Sequence, residues 1–254
     1  MPRARKHHVQ QVLPKLDKNG QRRGGARKGA GRPRRGERAS ERHKKREVFK
    51  ASQPVHVVIR AVGAVGALRG FETYHALRTA LVATFKRLDF RIVHISIQRT
   101  HVHLIIEAEN RMALARGMQS FEISAARHLN ASVSQRTGKA RRGTVFADRY
   151  HVEILRTPRQ TRNVLAYVIN NWRRHGESQL KLATGWRIDP FSSAPSFDGF
   201  RDLDAKAVEW PQRYVPLPVW EPRAWLLTTG WRKRGLIRHN EVPGPRWKPR
   251  RVAA

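Results

Sequence analysis

Two hydrophobic periods alternate along residues 54–176. Residues 54–62 alternate apolar and polar side chains and are β-branched, which predicts a strand. From Phe71 to Leu88 the apolar residues fall at 74, 77, 81, 82, 85 and 88, the spacing of one helix face. Residues 91–108 are rich in β-branched residues and break once, at Arg99 and Thr100, so they read as two strands or a bent one. Residues 112–133 predict a second helix, with Leu114, Met118, Phe121, Ile123, Ala125 and Leu129 on its core side. Thr144 to Leu155 predicts a fourth strand. A third helix opens at Thr157 as cap, with Pro158 at the first helical position and Gln160 placed for a capping box. It runs to about His175 and stops before Gly176. The order β-α-β-β-α-β followed by a helix is the ferredoxin-like arrangement of the α+β class. It leaves one sheet face covered by helices and the other open for a site.

Charge changes this picture at both ends. The chain carries 52 Lys and Arg against 19 Asp and Glu, a net charge of +33, so the expected partner is a polyanion. Nucleic acid is the first reading and an anionic membrane surface the alternative. Residues 1–50 hold 18 of the basic residues and 4 acids with almost no large apolar side chain, which predicts a disordered basic arm. Within it, Gly31, Arg32 and Pro33 flanked by further arginines have the form of an AT-hook; a generic basic tail is the plainer reading of the same residues. Residues 177–254 hold six of the seven tryptophans and many prolines, an extension whose tryptophans anchor it on the core or stack on unpaired bases. The division is therefore arm 1–50, catalytic-type domain 51–176 and extension 177–254. The absence of cysteine removes disulfides and thiolate chemistry. No stretch reads as a signal peptide or a membrane span, so a soluble, cytoplasmic, bacterial nucleoid-associated protein is expected.

The candidate chemistry lies on the third predicted strand and the third helix. His101 and His103 are separated by one apolar residue, so on a strand both project to the same side and can share a metal ion. Glu107 shares that face and reads as a surface glutamate, with metal ligand or base as the lesser option. Tyr167 and Asn171 are four residues apart on one helix face, with Asn163 one turn earlier, while Leu165, Val168, Ile169 and Trp172 form the side that docks on the sheet. Tyr150 on the fourth strand reads as a packed tyrosine rather than a second nucleophile. His94 has strand parity opposite to the pair unless the break at Arg99 resets it. His56, His75 and His128 have no partner that the sequence names, and His175 suits a helix C-terminus without further role.

The histidine–apolar–histidine triplet, Tyr167 with Asn171 on a downstream helix, and the segments 146–151 and 157–160 together resemble HUH-type single-tyrosine transposases, closest to the REP-associated branch. The resemblance covers roughly residues 52–176. It implies that His101, His103 and Asn171 bind Mg²⁺ or Mn²⁺. It also implies that Tyr167 attacks the scissile phosphate of single-stranded DNA, at hairpin-containing sites, through a 5′-phosphotyrosine intermediate. The arginines expected to meet DNA are Arg32, Arg34 and Arg35 in the arm, and Arg141, Arg142, Arg149, Arg173 and Arg174 around the domain. A non-catalytic single-stranded DNA or RNA binding protein is the alternative, and both monomer and homodimer fit.

Overall fold

A computed structural model of the chain describes residues 46–179 and 185–241, so the arm with Arg32, Arg34 and Arg35 lies outside the described residues. The elements are β1 (Val55–Arg60), α1 (Phe71–Thr84), β2 (Phe90–Ile97), β3 (His101–Ala108), α2 (Arg111–Thr137), β4 (His151–Ile154), α3 (Pro158–Ile169) and the short α4 (Asn171–Arg174). The strands form one sheet in the order β2-β3-β1-β4, with every neighbouring pair antiparallel. The two central strands come from different halves of the domain, as the ferredoxin-like order requires.

Strand alternation sends Val55, Val57 and Ile59 of β1 and Val102, Leu104 and Ile106 of β3 to one face, where they pack under Leu77 and Leu81 of α1 and Leu114, Met118 and Phe121 of α2. Asn110 caps α2 by accepting from the backbone N–H groups of Met112 and Ala113, and Gly138 ends it in the left-handed conformation. Gly117 lets α2 approach β2, because a Cβ there would fall inside the van der Waals envelope of the Phe90 ring. Phe90 is fully buried and has no room to swing away. Gly117→Ala is therefore expected to destabilise the domain by about 1–3 kcal/mol, even though alanine favours the helix by about 1 kcal/mol. Urea unfolding measures this; unchanged stability would mean that α2 shifts freely against β2.

Several boundaries differ from the sequence reading. Helix α1 ends at Thr84, and Val82 and Leu88, expected on its core face, are exposed. Ile123 of α2 is also exposed, because Phe121, Ala125 and Leu129 define a buried stripe that it does not share. Only His151–Ile154 of the expected fourth strand is strand. Phe146 still bridges to Ala61, but residues 148–150 loop out between the two pairings, so the register slips by two residues.

The second face of the sheet is covered as well. Val93 and Ile105 pack with Leu165, Val168 and Ile169 of α3 and with Phe197, Phe200, Leu227, Trp231 and Ile237 from beyond residue 176. The extension therefore shares a core with the domain. It also seals the outer edge of β2: Ser193 N–H donates to the Ile95 carbonyl, Ile97 N–H to Phe191 and Trp220 N–H to Ile92, at 2.8–2.9 Å. An unpaired edge would otherwise remain there. Trp231 is buried in this core and Trp220 stacks on Phe85, whereas Trp225 is half exposed. Glu107, expected at the surface, is buried. It pairs with Arg91 at 2.7 Å and accepts the backbone N–H groups of Arg223 and Ala224, so it clamps the extension rather than facing the histidines as a ligand.

His94 illustrates how register decides a face. The two-residue break at Arg99 and Thr100 places His94 opposite Ile105, with an irregularity after Ile92, so it lies on the same face as the histidine pair. There it meets Ser193 Oγ at 3.2 Å and the edge of Phe197. Burial lowers its pKa to about 4, with Asp198 opposing. The native state thus stays unprotonated where the unfolded chain binds a proton. Stability is full above the ordinary pKa of 6.5 and falls as pH drops from 6.5 to about 4, by about 3 kcal/mol for this group. His94→Gln is expected to shrink the difference in unfolding free energy between pH 7 and pH 4.5 by about 2 kcal/mol, the part of that loss already reached at pH 4.5. An unchanged acid limb would show that His94 protonates without penalty.

Candidate active site

Strand β3 presents His101 and His103 on the second face, with ring centroids 4.8 Å apart, while Val102 and Leu104 point into the helix-side core. His103 is 4 % exposed; His101 lies nearer solvent. Burial holds both imidazoles below their ordinary pKa, His101 at about 4 with His175 and Arg60 adding to the effect, and His103 well below 6.5 with His56, His101 and His175 adding. Both rings are therefore neutral at pH 7, with lone pairs available.

Helix α3 brings the tyrosine. Thr157 Oγ1 accepts the Gln160 N–H, Pro158 stands in the first turn, and the buried Leu165, Val168 and Ile169 seat the helix on the sheet. Tyr167 then stands on the flank of α3 with its ring perpendicular to His103, centroids 5.2 Å apart. The helix does not run on to His175. Asn170 breaks it, donating through Nδ2 to the carbonyls of Arg238 and Glu241, and the chain re-enters helix at Asn171. Asn171 is fully buried, and neither of its amide atoms has a hydrogen-bond partner among the described residues. The same holds for Nε2 of His103. Burial pushes the Tyr167 phenol above its ordinary pKa of 10; the Arg174 guanidinium, 5.6 Å from the ring centroid, pulls it down. The Asn171 amide pulls in the same direction, short of a well-formed hydrogen bond.

Two histidines that the sequence reading left out of the site join this group. His56, on β1, lies with Nε2 3.0 Å from Nδ1 of His103, the rings stacked at 5.3 Å. Its Nδ1 faces Glu153 of β4 at 3.8 Å, and the Glu153 carboxyl is held at about 2, first by the His56 ring and then by the Gln160 amide. His175 stands at the exposed end, 5.2 Å from the His101 ring. Tyr150 is on the opposite side of the sheet, buried in the helix-side core under the Arg46 guanidinium.

The expected DNA-facing arginines divide. Arg141 is tied to Asn130 Oδ1 and the Thr144 carbonyl, and Arg173 to the carbonyls of His239 and Arg187, so both brace backbone. Arg142 and Arg149 are exposed, and Arg174 borders the tyrosine. Among the described residues no group of three His, Cys, Asp or Glu could hold a metal ion. No helix among them is long and apolar enough to cross a membrane.

Residues 51–171 match the family model described as Transposase IS200 like. This segment is similar to IS200-like transposases. The matched stretch contains the histidine pair, Tyr167 and Asn171 together with His56 and Glu153, whereas the residues that seal the edge of β2, and those that pack on the second face alongside α3, lie beyond it. Among solved structures, the chain is similar to a REP-associated tyrosine transposase bound to a REP hairpin. The two share 16 % identity, with 60 % of this chain and 82 % of that one covered and a TM-score of 0.45. A search of curated proteins finds no match.

Proposed function

We propose that the chain is a metal-dependent endonuclease and strand transferase acting on single-stranded DNA, with Tyr167 as its nucleophile. The observation that carries this reading is the meeting of Tyr167 with His103 at 5.2 Å beside buried polar atoms of His103 and Asn171 that lack partners. Buried polar atoms are almost always paired, so orphans on residues around a candidate nucleophile fit a ligand. His101, His103 and Asn171 are the residues that would hold Mg²⁺ or Mn²⁺, through two imidazole nitrogens and the amide oxygen, the last being the donor a hard cation prefers. Bound there, the ion would neutralise charge on a non-bridging oxygen of the scissile phosphate.

The chain's own residues account for the rest. The phenol oxygen of Tyr167 forms a bond to phosphorus as the P–O3′ bond breaks, leaving a 5′-phosphotyrosine and a free 3′-hydroxyl. Arg174 beside the ring opposes the effect of burial and favours loss of the phenol proton. Because the phosphotyrosine keeps the energy of the phosphodiester, a second 3′-hydroxyl can reverse the exchange without ATP. Arg142 and Arg149, with Arg32, Arg34 and Arg35 of the arm, would meet the phosphate backbone of a hairpin-containing site, in a bacterial cytoplasm at the nucleoid. The competing reading is a protein that binds single-stranded nucleic acid and does not cut it.

A denaturing-gel assay with hairpin-containing single-stranded oligonucleotides and Mn²⁺ or Mg²⁺ separates the two. A denaturant-resistant, metal-dependent protein–DNA band is expected. Tight binding with no cleavage of any such substrate would favour the binding protein.

A further inference from the structure

We infer that Glu153 and His56 form a relay that fixes the tautomer of His103, placing its proton on Nδ1 and leaving the buried Nε2 with a free lone pair. Register builds the relay. Glu153 of β4 is directly opposite His56 of β1, and His56 is opposite Ile105 of β3, which sets it diagonal to His103 on the same face.

A neutral imidazole has one N–H and one lone pair, so the 3.0 Å contact between His56 Nε2 and His103 Nδ1 admits two assignments. In the first, His103 Nδ1–H donates to His56, whose own proton then sits on Nδ1 and points at Glu153 Oε2, 3.8 Å away. In the second, His56 donates to His103. A lone pair of His56 then faces the Glu153 carboxylate, and His103 carries a buried Nε2–H with no acceptor among the described residues. The first assignment turns an N–H toward the carboxylate at ion-pair distance; the second turns a lone pair toward it and buries an unpaired Nε2–H, so the first wins.

The carboxylate is itself held in place. Gln160 Nε2 donates to Glu153 Oε1 at 2.9 Å, while Gln160 Oε1 accepts the Arg156 N–H. Gln160 lies in the first turn of α3, the helix that carries Tyr167. One chain of contacts therefore links the start of that helix to the orientation of His103. Partners of this kind raise ligand basicity and fix ring orientation, and losing one typically weakens metal binding about 10- to 100-fold. Glu153 and His56 are positioning residues.

The test uses the full chain without metal, ¹⁵N-labelled at histidine, and reads the tautomer of His103 by long-range ¹H–¹⁵N NMR; Mn²⁺ is then titrated. In the unaltered protein His103 is expected as the Nδ1–H form. In His56→Phe the two tautomers are expected to mix and Mn²⁺ affinity to fall about 10- to 100-fold. Glu153→Gln, at a side chain 48 % exposed and safe for folding, is expected to shift both readouts in the same direction by less. His103 found as the Nε2–H form, or a His56→Phe protein with tautomer and affinity unchanged, overturns the relay. The affinity readout alone rests on the metal reading above. If His101→Ala also leaves Mn²⁺ binding unchanged, that reading has failed, and the tautomer result still judges the relay.

Discussion

Tyr167→Phe is expected to abolish cleavage and the covalent protein–DNA adduct while leaving the affinity for hairpin single strands within about twofold. The loss should be on the order of 10⁴-fold or more, the scale seen when a nucleophile is removed and only binding and electrostatic assistance remain. Only the hydroxyl is removed. The ring that packs against His103 and lies under Arg174 stays, so the fold and the DNA-facing charge are unchanged. Tyr150 cannot stand in, because it is 7 % exposed in the core on the far side of the sheet. Single-turnover cleavage followed on a denaturing gel reads the result directly. Metal-dependent cleavage that persists in the variant, without an adduct, would make water the nucleophile and Tyr167 a neighbour of the site only.

The parts of this site written in short periods could be read from the sequence. His101 and His103 share a face because β3 alternates, and Tyr167 and Asn171 share one because four residues is about a helical turn. The helix break at Asn170 does not undo that spacing, since the chain resumes helix at Asn171. What could not be read depends on register between distant segments. His56 is one histidine on a β-branched strand, and nothing local tells that β1 sets it diagonal to His103 and opposite Glu153. His94 changed faces for the same reason, since antiparallel parity is set by the length of the turn at Arg99. Glu107 looked solvated because its partners, the N–H groups of Arg223 and Ala224, lie more than a hundred residues downstream. A Trp- and Pro-rich composition announced that residues 177–254 pack on something, but not that they pair with the edge of β2 and close the second face. The four-strand order was recoverable only because β-α-β-β-α-β has one common arrangement.

Removing both imidazoles is the complementary experiment. His101→Ala with His103→Ala is expected to reduce cleavage to background and to erase its response to Mn²⁺ or Mg²⁺, while hairpin binding measured by gel shift falls by no more than a few-fold. The asymmetry between the single variants carries the argument further. His103 is 4 % exposed, meets His56 at 3.0 Å and stands against Tyr167, so His103→Ala removes a donor, unpairs His56 and opens a cavity beside the nucleophile. His101 is nearer solvent beside the exposed His175, and a water molecule can take its place. His103→Ala should therefore lower the single-turnover rate by about tenfold or more beyond His101→Ala, on the scale of losing a ligand together with the side chain that orients it. Rates measured across a Mn²⁺ titration separate the two. Added metal should partly restore His101→Ala, by saturating a weakened site, and should not restore His103→Ala. Equal rescue of both would mean that the two rings contribute alike and that the buried environment of His103 adds nothing to its role.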